Sequence, residues 1–118
     1  MIDEYTYGCF KADGKEFLGD LRIKNNVAHY WEGLEGRKLK IEHINELLKE
    51  KPDVFVIGTG AGAMLEVDEE IRKFLISWKI NSPNRPIAHV VKNVEAVKLI
   101  NSAITEGKRV CAVLPGGC

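Results

Sequence analysis

Three apolar runs, "VFVIG" from Val54, "IAHVV" from Ile87 and "VCAVL" from Val110, alternate with two amphipathic stretches. That alternation constrains the fold more than any other feature. The first and third runs are apolar at successive positions, so both faces of each need cover, as in a central and parallel strand, and "IAHVV" reads as a further strand. Between the first two runs, Ile71, Phe74, Leu75 and Trp78 recur at helical spacing after Asp68, a natural N-cap. Between the second and third, Ala96, Val97, Ile100, Ala103 and Ile104 recur in the same way, with Asn93 as the expected N-cap and Gly107 at C′. The order β-α-β-α-β gives parallel strands joined by right-handed crossovers, with helices covering the sheet.

Ahead of this half the period is two. Tyr5, Tyr7 and Cys9 alternate with Thr6, Gly8 and Phe10, which predicts one strand running through Gly8. Asp13-Gly14 then makes a turn, "EFLGDLRI" reads as a second strand, and Asn25-Asn26 turns the chain into a third, "VAHYW". "EGLEGRK" reads as a loop. Ile41, Ile44, Leu47 and Leu48 then line one face of a helix that Pro52 ends. "KINSPNRP" reads as a loop before the second apolar run. The expected fold is one α/β domain over residues 1–118, three layers deep. Its mixed sheet has an N-terminal antiparallel meander and a C-terminal β-α-β-α-β half.

The 118 residues carry 17 basic and 17 acidic side chains, so no net field draws the chain to nucleic acid or an anionic membrane. No apolar run reaches the roughly 20 residues of a membrane helix, and "MIDEYTY" does not resemble a targeting peptide. The expected location is the cytoplasm. Cys9, Cys111 and Cys118 form no CxxC pair, and His29, His43 and His89 lack metal-ligand spacing, so neither zinc nor a disulfide framework is expected. Cys9 and Cys111 read as buried thiols; Cys118 is the reactive candidate, with His89 as its conceivable partner.

The chemistry-bearing candidate is the loop after the first apolar run, Gly58-Thr59-Gly60. Loops following parallel strands gather at the carboxyl edge of the sheet, where Lys92-Asn93 and the terminal Pro115-Gly116-Gly117-Cys118 also arrive. Glycine amides, a threonine hydroxyl, a lysine and a helix N-terminus together suit a small anion. The stricter motifs fail. Gly58-x-Gly60-x-x-Ala63 is followed by "MLEV" rather than by a helix, no acidic residue closes "IAHVV" to hold a ribose, and no Gly-Lys-Ser/Thr completes a P-loop. A turn without a ligand is the competing reading. Asp68, Glu69 and Glu70 complement a helix dipole, and no nucleophile motif is present.

"PDVFVIGTGAG", "EVDEEIRKFL" and "AVKLINSAITEGKRVCAVL", taken in order, resemble a small α/β family. That family includes the adipogenesis-associated domain proteins, the third assembly factor of mitochondrial respiratory complex I and many short prokaryotic proteins. The matching residues include Ile57-Gly58-Thr59-Gly60, Ala96, Asn101, Glu106-Gly107, Arg109 and Ala112; family members often carry threonine at Asn93 and an aromatic residue at Ile100. The resemblance implies a compact three-layer domain, no established cofactor, and assembly or regulatory partners rather than a recognised reaction. Asn101 falls mid-helix, and Arg109 should lie at the amino edge, away from the glycine loop. The expected function is therefore a protein-binding or assembly module that pairs with another protein or with its own copies. An enzyme or sensor of a small anion is the alternative.

Overall fold

The computed structural model describes residues 1–32, 34, 36–81 and 87–116. The apolar runs form three adjacent strands of a five-stranded sheet, the first and third of them central and the second at the edge. β7 (Val54–Gly58) lies between β9 (Ile87–Val91) and β10 (Val110–Leu114), parallel to both, with Val56 opposite His89 and Ala112. β4 (Asp20–Lys24) runs antiparallel to β10, and β5 (Val27–Trp31) antiparallel to β4 at the far edge. Every residue of β7 and β10 is buried, as a strand with two covered faces requires.

Alternate side chains enter two cores. Val54, Val56, Ala112 and Leu114 face Ala96, Ile100 and Ala103 of α3 (Asn93–Thr105), together with Ile2, Phe10 and Ala12. Phe55, Ile57, Cys111 and Val113 face Ile44 and Leu47 of α1 (Ile41–Lys49) and Ile71 of α2 (Glu69–Asn81). The result is a three-layer α/β arrangement with a mixed central sheet. A short parallel pair, β6 (Lys38–Leu39) and β8 (Glu66–Val67), flanks the second core.

Two expected strands are each two strands. The first turns back at Tyr7-Gly8, so β1 (Ile2–Thr6) and β2 (Cys9–Ala12) pair antiparallel with Thr6 opposite Cys9. Alternating polarity across "YTYGCF" hid a two-residue hairpin, for which Gly8 supplies φ +80°. "EFLGDLRI" breaks at Gly19, φ +96°, where the chain leaves a three-stranded sheet, β1-β2-β3 with β3 at Lys15–Leu18, and enters the central one as β4. The turn at Asn25-Asn26 is as expected, both residues having positive φ. Asn26 then bonds to β10: its Oδ1 accepts from Val110 N at 2.6 Å and its Nδ2 donates to Lys108 O at 3.1 Å.

α3 ends in the Schellman pattern around Gly107, with Gly107 N donating to Ile104 O and Lys108 N to Ala103 O. Its start differs from expectation. Lys92 occupies the cap position and Asn93 is the first helical residue, because the Asn93 side chain is bonded elsewhere. Asp68 precedes α2, its carbonyl accepting from Ile71 and Arg72. α2 extends through Asn81, so the loop expected from Lys79 begins later, and residues 82–86 of it lie outside the described residues. No helix among the described residues is long and apolar enough to cross a membrane.

Candidate functional site

The carboxyl ends of β7, β9 and β10 bring Gly58, Thr59, Gly60 and Asn93 together, with Lys92 exposed beside them. Thr59 N donates to Val91 O at 2.8 Å, and Thr59 O accepts from Leu65 N at 3.0 Å. Gly60 N donates to Asn93 Oδ1 at 3.0 Å, while Gly60 O accepts from Asn93 N at the same distance. The amides of Thr59 and Gly60 that would cradle an anion are thus engaged within the protein. Asn93 is 0% exposed, and its Nδ2 donates to Pro115 O at 2.6 Å and to the Tyr5 hydroxyl at 3.3 Å. A buried amide side chain in a low-dielectric setting needs all of these partners.

Gly58 is glycine for the same reason. A Cβ there would stand 2.4 Å from Asn93 Oδ1 and 3.2 Å from Leu114 Cγ. The "GTG" pattern therefore accommodates a side chain of the protein itself.

The next residue after Pro115 extends the junction. Gly116 O accepts from Gly8 N at 2.7 Å, Gly116 N donates to Asp20 Oδ1 at 2.9 Å, and Gly19 N donates to Gly8 O at 2.9 Å. A Cβ on Gly116 would come within 2.0 Å of Gly19 O, so only bare backbone fits. Sequence reasoning placed the loop at Pro115-Gly116 on this edge but missed Tyr5, Gly8 and Gly19; the two glycines gave no signal beyond glycine itself, which turns elsewhere in the chain also use.

Around this closed centre stands an apolar rim. Tyr7 is 71% exposed, Leu18 65%, Val94 56%, and Tyr30 and Met64 54% each. Topology puts them at one end: β4 begins where β10 leaves, β5 returns to that end, and Tyr5 of β1 reaches Asn93.

The other singled-out residues lie elsewhere. Arg109 is at the amino edge, its guanidinium donating to the carbonyls of Glu50 and Lys51 at the end of α1, and its backbone N donating to Asp53 Oδ2. Asn101 brackets Ile2, accepting from its N at 2.9 Å and donating to its O at 2.8 Å. Cys111 is buried beside Asn25, and burial pushes its thiol pKa up. Cys9, expected in the core, is instead half-buried, on the outer face of β2 next to Leu18. Cys118 and the Trp78 side chain lie outside the described residues, and so does any pairing of Cys118 with His89. On α1, Lys24 and Arg22 of β4 hold Glu46 at 3.2 Å each, and the Lys24 hydrogen bond lowers the carboxyl pKa. No cluster of metal-ligating side chains occurs among the described residues.

The sequence matches the family model described as a protein of unknown function (DUF498/DUF598) over residues 2–115, and the chain belongs to that family. No curated protein matches it. Among solved structures it is similar to the conserved hypothetical protein PH1505 from Pyrococcus horikoshii OT3. That likeness has 26% identity and a TM-score of 0.75, covering 100% of this chain and 99% of the other. It is also similar to an outer membrane protein from Bartonella henselae, with 24% identity and a TM-score of 0.76 over 99% of this chain and 94% of that one; here the likeness is one of fold.

Proposed function

We propose that this chain is a non-catalytic binding module, of assembly or regulatory type, that docks a protein partner on its carboxyl-edge rim. The observation carrying the reading is the contrast at that edge. The glycine loop that could have held an anion is filled by Asn93, whereas Tyr7, Leu18, Met64 and Val94 stand exposed around it. The resemblance to the complex I assembly factor and the adipogenesis-associated domain proteins supports the same direction. The chain's net charge of zero supplies no overall field to steer a charged partner.

The test uses affinity capture from native lysate of the source organism with the wild-type chain and with the double variant Leu18→Glu, Met64→Glu. Both positions are more than half exposed, so the variant should keep its thermal midpoint within a few degrees. Specific proteins retained by the wild type and lost by the variant are expected. Identical capture by both would sink the rim as the contact surface. A rise in midpoint with inorganic phosphate, nucleotides or dicarboxylates would replace this reading with the small-anion one, since a ligand at about 100 times its Kd stabilises by about 2.7 kcal/mol.

A further inference from the structure

Four of the rim residues, Tyr7, Leu18, Met64 and Val94, each lie next in the chain to a member of one hydrogen-bond network. Met64 sits in the segment held by Gly60 N on Asn93 Oδ1 and by Leu65 N on Thr59 O. Val94 follows Asn93. From Asn93 Nδ2 the network passes to Pro115 O, then through Gly116 to Gly8 and Asp20, and from Gly8 O to Gly19 N. Tyr7 precedes Gly8 and Leu18 precedes Gly19. The Gly60 side and the Pro115 side meet at the Asn93 side chain, whose acceptor serves one and whose donors serve the other.

We propose that Asn93 is a positioning residue that makes the rim one cooperative platform: while its bonds are intact the two sides open together, and without them each opens separately. Opening one side alone would strand a buried amide group away from water, so partial opening is penalised relative to opening both. A surface ordered in advance loses less freedom when a partner seats, which gives the binding reading its physical advantage. The inference rests on that reading for its purpose alone; the coupling belongs to the isolated chain and is measured without a partner.

Native-state hydrogen exchange followed by NMR is the experiment, reading the amides of Gly60, Gly8 and Gly19 against Val113 in the central sheet. In the wild type the three glycines should open with rates within about threefold of one another, as members of one local unit, and faster than Val113. Asn93→Ala should accelerate all three by about tenfold or more, although Gly8 and Gly19 do not touch Asn93, and should spread their rates apart. Acceleration confined to Gly60 would overturn the proposal.

Should Asn93→Ala fail to fold, Tyr5→Phe answers the same question. It removes one acceptor of Asn93 Nδ2 and keeps the ring stacked 4.8 Å from Phe10. Joint acceleration of Gly60 and Gly19 is expected from it, and unequal or absent change at Gly60 refutes the coupling. Independent opening in a protein whose rim still captures its partner would remove this inference and leave the binding reading standing. Joint opening without rim-dependent capture would do the reverse.

Discussion

Gly58→Ala tests the packing of the carboxyl edge with the smallest available change. The added Cβ would stand 2.4 Å from Asn93 Oδ1 and 3.2 Å from Leu114 Cγ, and Asn93 is fully buried with no room to retreat. If Oδ1 is displaced, the Gly60 N–H loses its acceptor, and a buried unsatisfied donor costs about 1–3 kcal/mol. Overpacking against Leu114 and the shifted amide adds about 1–3 kcal/mol. Gly58 is a strand residue without positive φ, so its backbone conformation suits alanine, which returns about 0.5–1 kcal/mol of backbone entropy against that clash. The net loss is about 2–4 kcal/mol. For a chain of this size that is a fall in Tm of about 8–16 °C. Urea melts at unchanged m-value should report the same loss as a shift in midpoint. Asn93→Ala vacates the space the new methyl needs, so the double variant should cost at least about 1 kcal/mol less than the sum of the singles. A loss below about 0.5 kcal/mol for Gly58→Ala, or strict additivity, would refute the claim that this glycine exists to admit Asn93.

Two further outcomes follow from the opposite edge and from the core. Arg109→Ala should destabilise by about 1 kcal/mol in denaturant melts by freeing the carbonyls of Glu50 and Lys51, and Arg109→Lys should not restore the loss because a single ammonium cannot reproduce the guanidinium fork. Burial raises the Cys111 pKa, so the folded state holds the thiol proton more tightly than the unfolded chain does. Its stabilising contribution is complete below the ordinary thiol value of 9.0 and falls as pH rises beyond it. Cys111→Val should flatten that alkaline decline in Tm, and an equally steep decline in the variant would contradict the assignment.

Much of the second half of the fold was legible because its signals are local and strong. The runs at Val54 and Val110 are apolar on consecutive positions, the run at Ile87 is apolar but for His89, and the covering helices repeat at 3.6 residues, so strand, helix and parallel order follow from periodicity and chirality alone. The first half was harder. Gly8 and Gly19 each interrupt a run whose alternation continues across them, and nothing local distinguishes a glycine inside a strand from one that ends it.

The candidate site divides in the same way. Composition and spacing put Gly58, Thr59, Gly60, Lys92 and Asn93 at one edge of the sheet, since loops after parallel strands must gather there. What those residues do was decided by partners far away in sequence. Asn93 could have capped its own helix with a local bond; instead it bonds Gly60, Pro115 and Tyr5, residues that only the closed fold brings within reach. The rim is likewise a tertiary product, because Tyr7, Leu18, Met64 and Val94 come from four separate stretches of the chain: the β1–β2 turn, the end of β3, the β7–β8 connection and the first turn of α3. Sequence alone thus determined which elements form and which edge collects the loops, through short-range periodicity. The engagement of the Thr59 and Gly60 amides within the protein, and the exposure of apolar surface around them, depended on long-range contacts that no local pattern encodes.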